Sequence, residues 1–154
     1  MKRILFILSA LMLLTGIKAQ TNKEEVELMQ AAFGMEKKAM VEQFVNPDPS
    51  VKDAFWKLYD EYETSRKELG KRRLELYNQY SETYNNMSNE AADAWMKQVL
   101  QLTKETDALL FDYYNKIKKA TNPVIALRFF HVESFVLSAI RTKITDELPF
   151  VNSK

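Results

Sequence analysis

Few chain-breakers interrupt this sequence: 154 residues carry three glycines and four prolines. An all-β chain needs a reverse turn roughly every 8–12 residues, and so few turn formers cannot supply them. The expected fold class is therefore all-α, built from long helices. The length suits one domain with a single hydrophobic core. Cysteine is absent, which excludes a disulfide scaffold, a thiolate metal site and a cysteine nucleophile.

The first residues read as an export signal. Lys2 and Arg3 precede an apolar run from Ile4 to Leu14, and Gly16-Ile17-Lys18-Ala19 ends in a small residue suited to cleavage before Gln20. That run is shorter than the roughly 20 residues a membrane-crossing helix needs, so an uncleaved anchor is the weaker reading, and no later segment is expected to span a membrane. The expected location is periplasmic or secreted, without stable membrane insertion after cleavage. Removing residues 1–19 takes away Lys2, Arg3 and Lys18, leaving 19 Lys+Arg against 21 Asp+Glu, a net charge of −2. Nothing in that balance points to nucleic acid.

Four helices follow from the stop signals. The first spans about 23–45, with Val26, Met29, Phe33, Met40 and Phe44 on one face and Gly34 as a weak point; its segment, 20–47, is open to loose attachment. Asn46-Pro47 ends it. Asp48 with Pro49 is expected to start a second helix running to about Asn86, with Ser50 and Asp53 as a competing start. Ser88 caps a third over 89–120, and Asn122-Pro123 caps a fourth that ends near Glu147, before Pro149. The helical-hairpin domain is thus 48–151, with a tail at 152–154.

Phe55, Tyr62, Leu69 and Leu76 recur every seven residues on the second helix, with Leu58, Tyr59, Tyr77, Tyr80 and Tyr84 beside them. Trp95, Val99, Leu102, Thr106, Leu109 and Tyr113 step by three and four on the third. A connection of only a few residues at Met87-Ser88 folds the two back as a long antiparallel hairpin. The fourth helix is shorter than the hairpin, so part of the seam is expected to need another cover.

Glu133 is the sharpest local feature. Its neighbours on the helix face are Ala126, Phe129, Phe130, Val136, Leu137 and Ile140, so its carboxylate lies in the burying stripe. A lone carboxylate there would cost several kcal/mol. Arg66 and Arg73 on the second helix are the expected ion-pair partners, a structural rather than a catalytic role. His131, the only histidine, falls on the polar face and is expected to be solvated. Met29, Met35 and Met40 scatter around their helix and read as packing rather than a metal site. No phosphate loop, nucleophile elbow or HExxH motif occurs, so the expectation is no enzyme, no cofactor and no metal. Lys71-Arg72-Arg73 sits among Glu68 and Glu75 as an ion-paired face. Tyr77, Tyr80 and Tyr84, with Phe55, Trp56 and Tyr59, are either core or a partner-binding surface.

Phe55-Trp56-x-Leu58-Tyr59-x-x-Tyr62, the tyrosine-ended hairpin, Arg128-Phe129-x-x-x-Glu133 and Pro149-Phe150-Val151 together resemble a group of small exported bacterial all-helical proteins of poorly defined function. More distantly, a cysteine-free exported chain with a long helical hairpin is similar to the Spy/CpxP periplasmic proteins, although Leu102-Thr103-Lys104-Glu105-Thr106 stands where their Leu-Thr-x-x-Gln motif would be sought. The resemblance implies a dimeric cradle, ATP-independent binding of unfolded or envelope proteins, and a place in envelope stress as chaperone, accessory or sensor protein. The alternative is a periplasmic metal- or ligand-binding sensor.

Overall fold

The computed structural model describes residues 36–149. The expected export signal with its Ala19-Gln20 cleavage position, the start of the first helix with Val26, Met29, Phe33, Gly34 and Met35, and the closing Phe150-Val151 and tail lie outside the described residues. The chain divides into two compact units, Met1–Gln43 and Phe44–Lys154. In the first, residues 36–43 are helical; the second begins with the last two residues of that helix, 44–45. All regular structure among the described residues is helical, and the second unit is made of α1 (Lys52–Thr83), α2 (Asn89–Ala120) and α3 (Pro123–Glu147).

Asn46 takes a left-handed backbone (φ 44°), which asparagine tolerates better than most residues and which ends the preceding helix. The start of α1 differs from expectation. Asp48 and Pro49 do not cap it; they form a turn closed by the Val51 N–H donating to the Asp48 carbonyl at 3.0 Å, a use of Pro at the second turn position. The helical ladder starts one step later, when the Phe55 N–H donates to the Val51 carbonyl at 3.0 Å. Val51 holds the cap position without a side-chain acceptor. At 32 residues, α1 is roughly 48 Å long.

A single turn of 3-10 helix, Tyr84–Asn86, leads into the hairpin bend. The Ser88 hydroxyl then accepts from the Ala91 N–H at 3.2 Å, and the Asn122 side chain accepts from the N–H groups of Val124 and Ile125 at 2.9 and 3.0 Å. Both caps satisfy donors that the first helical turn leaves without partners. Because each connection is short, neighbouring helices run antiparallel: Trp95 of α2 meets Leu76, Thr106 meets Arg73 and Tyr113 meets Tyr62, while α3 returns along α2 from Phe130 beside Phe111 to Arg141 beside Asp107.

The core lies between these three helices. Phe55, Tyr59, Tyr62, Leu76 and Tyr80 enter it from α1, Leu102, Leu110, Tyr113 and Ile117 from α2, and Ile125, Ala126, Phe129 and Val136 from α3. α3 packs on α2 and reaches α1 through rings, with Phe129 set edge-on to Tyr62 at 5.2 Å and to Phe55 at 6.4 Å. Each large side chain so buried contributes about 1.5–3 kcal/mol. Val45 joins this packing: it is fully buried and its carbonyl accepts from Arg128 at 3.3 Å.

α3 is long and apolar enough to cross a membrane by length and composition, with a mean hydropathy of 1.5 in its most apolar window. The reason is that its cations sit near the ends of a run, Phe129 to Ile140, whose one charge is Glu133.

Candidate functional site

Where α1 and α3 meet, the core contains charge. Glu133 is fully buried, as its place in the apolar stripe requires, and Glu63 and Arg66 of α1 are buried at 8% exposure each. Arg66 grips Glu63 with two hydrogen bonds, Nε to Oε1 at 2.8 Å and Nη2 to Oε2 at 3.2 Å. The two are three residues apart on one helix, a spacing that brings side chains together. Glu133 acts through space on Arg66 and on the Tyr62 phenol beside it.

The electrostatics of this layer are consistent. Burial pushes the Tyr59 and Tyr62 phenols far above their ordinary range, and the carboxylates of Glu63 and Glu133 push them further. For Arg66, burial works against the charge, but the carboxylates of Glu63 and then Glu133 outweigh it and the guanidinium is held more firmly protonated. A buried pair of this kind adds little net stability over an apolar core, yet removing one member is expensive.

The expected pairing of Glu133 with Arg66 or Arg73 therefore takes a different form. Arg66 directs its fork at Glu63 and feels Glu133 at longer range. Arg73, buried at 9% exposure, turns to α2 and donates to the Thr106 hydroxyl at 3.4 Å. Seven residues separate the two arginines, roughly 10 Å along the axis, so they belong to different layers. Glu63 was not foreseen; its signal was the local Glu-x-x-Arg spacing.

The aromatic residues divide in the same way. Phe55 and Tyr59 are sealed in the core at 0% and 1% exposure, and Tyr80 is buried too, so these three do not form a partner-binding surface. Phe55 and Tyr59 are covered because α3 sets Phe129 against Phe55. Tyr80 is covered because Trp95 lies 4.7 Å from its ring and its hydroxyl donates to the Pro149 carbonyl at 2.7 Å. Trp95 is fixed in turn by its indole N–H donating to the Leu76 carbonyl at 3.0 Å. Tyr77, Tyr84 and Trp56 are half-buried around these clusters.

Among the described residues, two surface grooves along the hairpin stand out. The larger, about 480 Å³, lies between α1 and α2 and is lined by Arg72, Glu75, Leu76, Gln79, Lys97, Gln98, Gln101 and Leu102. The smaller, about 250 Å³, lies between α2 and α3 and is lined by Asp107, Leu110, Phe111, Phe130, Ser134, Leu137, Ser138 and Arg141. Neither includes a member of the buried charged layer. His131 is exposed and Met40 half-buried. Lys71 pairs with Glu68 and Arg72 with Glu105. Among the described residues, no group of three His, Cys, Asp or Glu is placed to hold a metal ion.

Comparison with protein-family models, with curated proteins and with solved structures finds no match for this chain.

Proposed function

We infer that this is an exported, non-enzymatic protein that binds other polypeptides along its helical hairpin, either as an envelope chaperone similar to Spy/CpxP or as an accessory or sensor protein of envelope stress. The observation that carries this reading is the groove between α1 and α2. Its floor is Leu76 and Leu102, and its walls carry three side-chain amides, Gln79, Gln98 and Gln101, with Arg72, Lys97 and Glu75 at their sides. An amide both donates and accepts, so such walls can pair with the main chain of any extended segment whatever its sequence. Charges of both signs, two of them already paired with Glu105 and Asp93, favour no single class of client. A surface that pairs with backbone and offers a modest apolar floor suits weak, tolerant binding.

The protein should slow the aggregation of an unfolding client at near-stoichiometric amounts without ATP. Gln98→Trp, which fills the groove from an exposed position, should abolish that effect while leaving helix content unchanged. Absence of any effect across several clients, or full activity of Gln98→Trp, refutes the reading.

A further inference from the structure

α3 is apolar on more sides than the protein covers. Its inner face buries Ile125, Ala126, Phe129, Glu133 and Val136. Its outer face carries Val124, Leu127 and Phe135 at 56%, 47% and 49% exposure. These positions share one side of the helix, with the His131 imidazole lying between Leu127 and Phe135. Phe111 of α2, 56% exposed, packs against Phe130 at 5.6 Å and widens it. Only 28% of the most apolar window of α3 is buried, whereas a core helix of that hydropathy would be mostly enclosed. Scattered apolar side chains on a surface are ordinary; a contiguous patch of this kind marks an interaction site.

At the α2–α3 corner beside the patch, positive charge is in excess. From Tyr113 to Thr145 the chain contains one acidic residue, Glu133, and it is fully buried. On the neighbouring turns of α2, Asp107 is paired with Arg141 at 2.8 Å and Asp112 with Lys116 at 2.7 Å. Lys118, Lys119 and Arg128 are exposed at the α2–α3 corner; Lys118 lies over the Tyr114 ring and Arg128 donates to the Val45 carbonyl, contacts that carry no opposite charge.

We propose that this α2–α3 face docks on an anionic lipid surface, with α3 lying in the plane of the interface. An apolar stripe of Phe and Leu bordered by Lys and Arg is the pattern of an interfacial helix, and the basic side chains add attraction to anionic headgroups. Crossing the bilayer is a different matter: the opposite flank of α3 holds Glu133 against α1, beside Arg66 and Tyr62, and stays with the protein. The face shares no residue with the hairpin groove, so lipid docking and polypeptide binding fail or succeed independently.

The absence of native cysteine makes a local probe practical. Leu127→Cys, Phe135→Cys and, as control on α1, Asn78→Cys would each carry an environment-sensitive nitrobenzoxadiazole label. Added to vesicles of phosphatidylcholine containing phosphatidylglycerol, the full chain should show a blue shift and quenching by spin-labelled acyl chains at positions 127 and 135 and neither at 78. Lys118→Gln and Lys119→Gln should each weaken vesicle binding read by these probes by about fivefold. No shift at 127 and 135 overturns the proposal, even if another part of the chain brings the protein to the vesicle. Equal shifts on pure phosphatidylcholine overturn it as well, as does a shift that needs no vesicles and follows dimer formation or an added unfolded polypeptide.

Discussion

Replacing Tyr62 by Phe removes one oxygen from the middle of the protein and leaves the ring in place between Tyr113 at 5.5 Å and Phe129 at 5.2 Å. That oxygen is the polar neighbour of the Glu133 carboxylate, and both residues are at most 1% exposed, so water cannot take its place. A polar partner of a charged group contributes about 1.5–3 kcal/mol. Tyr62→Phe should therefore cost about 2 kcal/mol at pH 7, or a fall in Tm of roughly 4–8 °C for a chain of this size. The pH dependence gives an independent readout. Burial and the Glu133 carboxylate raise the folded phenol far above its unfolded value of about 10. Its stabilising contribution is thus fully present below pH 10 and is lost as the pH climbs, because the unfolded chain releases a proton that the folded protein retains. Tyr59 is raised in the same direction, first by burial and then by Glu63, so the wild type should lose about 1.4 kcal/mol per pH unit for each of these two phenols above pH 10. The variant should lose about 1.4 kcal/mol per pH unit less. Urea unfolding followed by circular dichroism at pH 7 and at several points above pH 10 measures both quantities. A cost under about 0.5 kcal/mol at pH 7, or an unchanged alkaline slope, would refute this account of the layer.

Two further substitutions test the packing. Phe129→Ala empties the position where α3 meets Phe55 and Tyr62 and should cost about 3–5 kcal/mol in urea unfolding; a loss near that of exposed Leu127→Ala would mean that α3 is not anchored there. Asn122→Ala removes an acceptor shared by two backbone N–H groups and should cost about 1 kcal/mol, while Pro→Ala at the neighbouring position 123, where no N–H is bonded, should cost less.

Much of the fold was legible in residue order. Ser88 and Asn122-Pro123 mark helix starts because a short polar side chain satisfies the N–H groups that a first turn leaves open, and that requirement is local. The all-α class follows from missing turn formers, and antiparallel packing follows from connections too short for anything else. Where a local rule had rivals it failed: Asp48-Pro49 meets the chemistry of a cap and of a turn equally well, and the chain uses it as a turn.

The candidate sites were legible only in part. Periodicity places Glu133 on the inner face of its helix, since a side chain's direction about its own axis depends on position alone. Which neighbour receives that side chain depends on how a second helix is rotated and shifted. That choice turned Arg73 toward Thr106, enclosed Phe55, Tyr59 and Tyr80, and left Val124, Leu127 and Phe135 bare, whereas the Arg66–Glu63 pair is local to one helix. One-dimensional order thus specifies rods and their greasy sides, because those are properties of a single helix; contacts between rods, and the surface they leave over, arise when three of them compete for the same limited interior.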